Sequence, residues 1–120
     1  MKKNYCFNLE EELKRHPLPE GKDLMLRFLM HCKYSGANVA QARATKYHIH
    51  RDHDEYVYIL RGEHEFNVNG IRYNVKPGDL IIAPAGVPHS PTKLGPDYGA
   101  LSIYAPDWDE DNPDRIFIEK

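Results

Sequence analysis

Histidine and carboxylate side chains are concentrated in the middle of this 120-residue chain, where five of its seven histidines lie between residues 48 and 89. His48 and His50 are two residues apart, a spacing that places both imidazoles on one face of an extended strand. Glu55 follows after a short loop that can reverse the chain. Two imidazoles and a carboxylate brought together in this way suit a divalent transition metal, and His89 is a candidate third imidazole.

The elements that must position these side chains are mostly β-strands. Asn8 as an N-cap and Pro17 as a stop predict one short helix at about 9–15. Alternating apolar residues and runs of β-formers predict strands at 24–32, 55–60, 63–68, 71–75, 80–83 and 98–105. Asn69 followed by Gly70 is the strongest hairpin signal. Short strands separated by glycine and proline turns are typical of an all-β sandwich or barrel.

The candidate ligands fall into two motifs. The motifs read His48-x-His50-x4-Glu55-x6-Gly62 and, after fifteen residues, Gly78-x5-Pro84-x-Gly86-x2-His89. This arrangement resembles the two motifs of the cupin superfamily at every principal position and spacing. It departs from them at Ala42, where the family often has a glycine, and at Lys93, where it often has an asparagine. Neither position is usually a metal ligand, but the departures leave open how those strands end.

The resemblance implies the fold and a metal site together. The fold would be a single-domain cupin jelly-roll barrel (a double-stranded β-helix) of six to eight strands, here with the short N-terminal helix. The family's four metal ligands would correspond to His48, His50, Glu55 and His89. One divalent transition-metal ion per chain is therefore expected, and iron, manganese, nickel, copper and zinc all tolerate this ligand set.

Three further residues are candidate catalytic groups that would move protons near the metal. His53 lies in the connecting loop and is either a general base at the pocket mouth or, as we prefer, an exposed loop histidine. His64 shares a strand face with Phe66 and Val68. It is either a contact in the pocket or a satisfied histidine at the rim. Tyr73 either donates a phenol to the pocket or, by default, packs.

Length and charge distribution predict one domain with a separate arm. A chain of this size can bury one modest core. We expect a single domain over 1–120, with a barrel core at about 22–105 and an acidic arm at 106–120. The arm contains six acidic and two basic residues. Its apolar residues are expected to dock on the body or on a partner subunit: Ile116, Phe117 and Ile118.

Composition excludes several classes of partner. The chain has 16 Lys and Arg against 18 Asp and Glu, and this balance argues against nucleic-acid binding. No apolar run approaches the roughly 20 residues of a membrane span, and the N-terminus lacks the pattern of a signal peptide. Cys6 and Cys32 form no Cys-x-x-Cys and are interpreted as reduced thiols of a cytoplasmic protein, although a disulfide is a minority alternative.

The strand that begins at Glu55 leads to a prediction about the oligomeric state. Its alternation places Glu55, Val57 and Ile59 inward, so that Tyr56, Tyr58 and Leu60 face outward. An apolar outer face must be covered by the N-terminal segment or by another subunit. The family resemblance favours a homodimer built sheet to sheet.

Two functions remain open at this point, and a third is disfavoured. The first is a metal-dependent enzyme, such as a dioxygenase, an isomerase or a decarboxylase, acting on a small polar, carboxylated metabolite. The alternative is a non-catalytic protein that binds or senses a small molecule through the metal. A purely structural dimerisation unit would not require all four ligands.

Overall fold

The computed structural model describes residues 4–45, 47–107 and 116–117. This part of the chain contains one helix and ten strands. In chain order they are α1 Leu9–Arg15, β1 Leu24–His31, β2 Gly36–Ala42, β3 His48–Ile49, β4 Asp54–Arg61, β5 His64–Val68, β6 Ile71–Val75, β7 Leu80–Ala83, β8 His89–Lys93, β9 Gly99–Ala105 and β10 Ile116–Phe117.

The strands form two antiparallel five-stranded sheets. The first sheet has the order β1-β2-β9-β4-β7, and the second has the order β10-β3-β8-β5-β6. Successive strands repeatedly cross from one sheet to the other, as in a jelly roll. The described strands thus form two separate sheets that enclose one interior, and the expected jelly roll is not a closed barrel.

The predicted helix is confirmed at both ends. The side chain of Asn8 accepts a hydrogen bond from the backbone N–H of Glu11 at 2.9 Å, which caps the first turn. Leu13 is only 1% exposed where α1 lies against β2. The Gln41 side-chain amide on β2 donates to the backbone carbonyls of Leu13 and His16, at 3.0 and 2.8 Å. The helix therefore covers the outer face of β2.

The predicted alternation of β4 is also confirmed. Val57 and Ile59 are buried, whereas Tyr58 is exposed and its neighbours Tyr56 and Leu60 are half-buried. The buried members of this strand pack with residues of both sheets in one core cluster: Ala42, Val57, Ile59, Phe66, Val75, Ile81, Tyr98 and Ala100. Glu55 lies on the same inward face of β4, so the polar site and the core share one interior.

Two of the longer strands, β2 and β8, were not predicted, and both have unfavourable local sequences. β2 consists mainly of glycine, alanine and amides, which have low β-propensity, yet it is buried in the middle of a sheet. β8 contains Pro91, which argues against a strand in a sequence pattern. The two departures from the family motifs lie at the last residues of these strands, Ala42 and Lys93.

Part of the acidic arm docks on the body, as expected. Ile116 lies opposite Ile49 and Phe117 lies opposite His48, which adds a short strand to the edge of the second sheet. Ile118 lies outside the described residues, as does most of the arm.

Two observations concern the expectations of reduced thiols and of no membrane span. Cys6 and Cys32 are free, exposed thiols. Among the described residues, no helix has the length and apolar character needed to cross a membrane.

Gly62, in the turn between β4 and β5, provides a test of the fold. It has φ +80°, and a Cβ atom there would lie 2.7 Å from the His64 ring and 2.5 Å from the Asp97 carboxylate. We expect Gly62→Ala to lower the free energy of unfolding by about 2 kcal/mol or more, through backbone strain and overpacking.

Gly70 is the matched control. It has φ +84° but no heavy atom within 4 Å of an added Cβ, so Gly70→Ala introduces the strain without the clash. Urea denaturation should show the larger loss for Gly62→Ala. Equal losses in the two variants would contradict the packing seen around Gly62.

Candidate metal centre

Four side chains converge at one end of the interior. His48, His50, Glu55 and His89 each offer one nitrogen or oxygen atom, and these atoms all lie within 4.8 Å of one another. His48 is half-buried and the other three residues are buried. All four of the residues that the motifs singled out as candidate ligands are therefore brought together.

Strand pairing accounts for the meeting of the two motifs. His48 on β3 lies directly opposite His89 on β8 in the antiparallel ladder, and their ring centroids are 4.4 Å apart. His50 follows the end of β3, in the connection that leads to the other sheet. Glu55 is the second residue of β4 in that other sheet. The cluster thus spans both sheets.

A turn of the second motif, residues 84–87, is tied to the first motif by backbone hydrogen bonds. The N–H of Gly86 donates to the carbonyl of His50 at 2.7 Å. The N–H of Ala85 donates to the carboxylate of Asp54 at 2.8 Å. Gly86 has φ +84°, a conformation that side chains rarely adopt. This turn fixes His50 relative to the strand that carries His89.

Distances within the cluster fit a transition metal. The Nε2 atoms of His50 and His89 lie 3.1 and 3.0 Å from the same oxygen, Oε1 of Glu55. Two ligands at right angles on a metal with bonds of about 2.1 Å would lie about 3.0 Å apart. Three imidazole nitrogens and one carboxylate oxygen are also a donor set that such metals accept. The residues present therefore fit the metal that the sequence predicts.

Burial and pairing act in opposite directions on the charges of the cluster. Burial by itself raises the pKa of the Glu55 carboxyl, but hydrogen bonds and charge attraction from His50 and His89 outweigh it and hold this pKa well below its usual range. Burial by itself lowers the pKa of His89, because it disfavours the charged imidazolium. The hydrogen bond and charge attraction from Glu55, together with a weaker hydrogen bond to Val87, outweigh burial and raise this pKa overall. Glu55 is consequently ionised, and it attracts a positive charge to this point.

His89 is held in a defined orientation. Its Nδ1–H donates to the backbone carbonyl of Val87 at 3.0 Å, while Nε2 faces Glu55. A backbone acceptor on one ring nitrogen selects the tautomer and leaves the other nitrogen available as a ligand. The arrangement therefore presents Nε2 to the centre of the cluster.

A cavity of about 240 Å³ opens beside the cluster. His48, His50 and Glu55 contribute to its wall. The rest of the wall is mainly apolar, with a few hydroxyl groups: Leu24, Leu26, Ala40, Ala42, Ala44, Thr45, Pro91, Tyr98, Ser102, Tyr104 and Phe117. A bound metal would thus be reachable from a cavity large enough for a small molecule.

His53 lies next to the cluster but is not an exposed loop residue, so that preference was wrong. It is only 4% exposed. Its ring stacks on His50 at 4.6 Å and meets the edge of Tyr104 at 5.1 Å, measured between centroids. The loop folds back over the cluster, and His53 packs against one of the candidate ligands.

The other two catalytic candidates lie elsewhere. The Nε2–H of His64 donates to the carbonyl of Arg61 at 2.8 Å, and its Nδ1 accepts from the N–H of Gly95 at 2.8 Å. Both ring nitrogens are thus engaged with backbone, and His64 borders a surface groove. Tyr73 is 46% exposed and borders another groove, beside Leu80. The structure places neither residue in the wall of the cavity.

Three polar residues of the last long strand and its approach were not predicted as site residues. Tyr98, Ser102 and Tyr104 all line the cavity. Burial, and secondly the negative charge of Glu55, raises the pKa of Tyr98, so its phenol is neutral. The even-numbered positions from 98 to 104 alternate with outward residues, and this pattern was available in the sequence.

Solved structures with this architecture cover 82–98% of the chain. A double-stranded β-helix protein from Klebsiella pneumoniae has a TM-score of 0.76 and 24% identity, covering 98% of this chain and 99% of its own. KdgF from Halomonas sp. has a TM-score of 0.70 and 20% identity, and the match covers 82% of this chain and 94% of KdgF. Pac13 from Streptomyces, described as a nucleoside dehydratase, has a TM-score of 0.68 and 13% identity, covering 97% and 92%. At these identities the likeness concerns the fold.

Sequence comparison identifies the family. A 43-residue segment is 42% identical to quercetin 2,3-dioxygenase of Bacillus subtilis, and it spans 36% of this chain but only 13% of that protein. The model of the Cupin domain family matches residues 37–101, more than half of the chain. That match contains both histidine motifs and most of the strands around them, and the chain belongs to the cupin family.

Proposed function

We propose that this chain binds one divalent transition metal through His48, His50, Glu55 and His89, and that it is a metal-dependent enzyme acting on a small molecule in the adjoining cavity. The observation that carries the proposal is the convergence of four buried or half-buried residues on one point, three of which, His48, His50 and Glu55, line that cavity. A bound metal would supply a Lewis acid, or a site for oxygen, inside an enclosed space.

The protein groups have separate tasks in this proposal. Glu55 supplies the negative charge that favours a cation, and the Val87 carbonyl orients His89. The apolar wall, including Leu24 and Leu26, excludes water from the reacting groups. A carboxylated metabolite would direct its carboxylate towards the metal and its remaining atoms along this wall.

The reaction is of dioxygenase, isomerase or decarboxylase type. The segment shared with quercetin 2,3-dioxygenase favours the first type. His53 is the catalytic candidate closest to the cluster, through its stacking on His50. A non-catalytic protein that binds or senses a metabolite through the same metal is the alternative, since a cavity with a metal at its wall also suffices for binding.

Chelation should reveal the metal as a stabilising ligand. A metal at a hundredfold its Kd adds about 2.7 kcal/mol to the folded state, which is a shift in Tm on the order of 10 °C. We expect the metal-loaded wild type to lose this shift on chelation, with apo protein remaining folded. His50→Ala should show little response to the chelator, and elemental analysis should find about one ion per wild-type chain.

His31→Ala is the matched control for that melt. His31 is an exposed histidine on β1 whose Nδ1 pairs with Asp107 at 2.8 Å, outside the cluster. It should retain the chelator-dependent shift. A metal-loaded wild type that melts at the same temperature with and without chelator would refute tight metal binding at this site.

Turnover separates the enzyme from the binding protein. Metal-loaded wild type should transform at least one member of a panel of small carboxylated and phenolic metabolites. The measurements are oxygen consumption and analysis of the products. His50→Ala should lose at least 100-fold in rate, because changing a residue that only hydrogen-bonds to a metal ligand already costs 10–100-fold and this change removes a ligand itself. Binding of panel members by wild type without any turnover would favour the alternative.

We also propose that the chain is a homodimer that uses the outer face of the first sheet. Tyr58 and Leu80, which lie opposite each other on β4 and β7, are 41% and 54% exposed. Ile82, opposite Tyr56, is 48% exposed. The helix α1 packs on β2, two strands away. An uncharged face that continues across neighbouring strands suits a second copy, because a twofold interface pairs a patch with itself.

Two charges on this face should separate the subunits. We expect Tyr58→Lys combined with Ile82→Lys to shift the mass found by light scattering from dimer to monomer, since each lysine would be buried against an apolar surface. Tyr34→Lys, at a 74% exposed tyrosine outside this face, should leave the mass unchanged. Wild-type protein that is monomeric at tens of micromolar would contradict the proposal.

A further inference from the structure

Asn38 is a fully buried amide on β2. Its exposure is 0%, and within the described part of the chain neither its Oδ1 nor its Nδ2 has a hydrogen-bond partner. Buried polar groups in proteins are nearly always paired, and an unpaired one destabilises the folded state. The amide therefore requires an explanation, which its position in the sheet provides.

The position of Asn38 is beside the wall of the cavity. Along β2 it alternates with Ala40 and Ala42, which line the cavity, so its side chain is on the same inner face. Across the ladder it lies opposite Ser102, a cavity residue on β9. The neighbours on this side are thus small, and they leave the amide close to the cavity.

Asn38 and Glu55 lie on the inward side of different strands of the first sheet, and Asn38 adjoins the cavity residues Ala40 and Ser102 without itself being part of the cavity wall. Ser102 lies opposite Val57 on β4, two residues from the pair formed by Tyr104 and Glu55. β2 and β4 flank β9, so Asn38 and Glu55 belong to strands that are two spacings, or about 10 Å, apart. That separation corresponds to a small molecule with polar groups at both ends of one ring.

A second unpaired polar atom lies in the cavity wall. The Oγ1 atom of Thr45 is buried and, among the described residues, has no hydrogen-bond partner. Most of the other wall residues apart from the candidate ligands are apolar, and the remainder carry hydroxyl groups. The polar groups available to a ligand away from the metal are therefore few and neutral.

We propose that Asn38 is a specificity-determining residue, whose amide pairs with a neutral donor–acceptor group of the ligand while oxygen atoms at the ligand's other end bind the metal. This inference rests on the metal function proposed above. The ligand class is a small molecule with a chelating pair of oxygens, an apolar body and a carboxamide-like group. A cavity volume of about 240 Å³ suits a ligand with a body of about one ring.

Two chelating compounds test the role of Asn38. Catechol has the chelating oxygens alone, and 3,4-dihydroxybenzamide adds a carboxamide across the ring. Titration calorimetry with zinc-loaded protein avoids redox chemistry, because zinc(II) has none. We expect wild type to bind the benzamide about tenfold more tightly than catechol, as one or two added hydrogen bonds allow. In Asn38→Leu this ratio should fall to about one, with the affinity for catechol little changed.

Controls separate the two levels of the proposal. Asn74→Leu makes the same substitution at an exposed position on β6 and should keep the tenfold ratio. His50→Ala should lose the binding of both compounds. Two results would refute the role of Asn38 and leave the metal function standing, provided that catechol binds wild type. One is equal affinity of wild type for the two compounds, and the other is a tenfold ratio that persists in Asn38→Leu. If neither compound binds zinc-loaded wild type, this inference falls, and the chelation melt and the turnover assay described above decide whether the metal function stands.

Stability of the apo protein gives an independent measurement. Because the amide is unpaired, apo Asn38→Leu should melt at the same temperature as apo wild type or above it. A clear loss of stability in Asn38→Leu and in the smaller Asn38→Ala would show that the amide already has a partner without ligand, and would overturn the inference.

Discussion

The buried carboxylate of Glu55 is the group on which the arrangement of this end of the molecule depends. An ionised group away from water is tolerated only when it is paired, and breaking such a pair costs about 3–5 kcal/mol. Its partners, His50 and His89, come from the connection between the sheets and from the opposite sheet. Satisfying Glu55 therefore sets the approach of the two sheets, and the same geometry gathers the donors that a metal needs.

The apolar core makes this approach possible without a metal. Val57 and Ile59 extend from Glu55 along the same face of β4 and pack against Phe66 of the second sheet. Facing sheets separated by such side chains lie about 10 Å apart, a spacing that imidazole and carboxylate side chains can bridge from both sides. The hydrogen bond from the Gly86 N–H to His50 then fixes the remaining loop. Core packing determines where the ligands are, and the carboxylate determines that they face one another.

The sequence predicted the parts of this structure that depend on local periodicity. The helix at 9–15, the alternation of β4 and the grouping of His48, His50 and Glu55 follow from spacing that the chain displays directly, whereas the family resemblance implied that His89 joins them. β2 was missed because its burial comes from its neighbours β1 and β9, not from its own alanines and amides. His53 was misplaced for a related reason. A loop histidine between two aspartates has the composition of a surface residue, and only the folding of that loop over His50 buries it.

The strand β2, which was not predicted, also explains why there is a cavity. Ala40 and Ala42 of β2 face the interior where a valine or leucine would bury more apolar surface, and a dry cavity costs about 24 cal/mol per Å³. Asn38 on the same face adds a buried amide without a partner among the described residues, which is a further loss of stability. Three successive inward positions of one strand are thus poor choices for a core. They share a single advantage, because small side chains and an unpaired amide near a cavity that the candidate metal ligands border leave space and hydrogen-bonding capacity for a bound molecule.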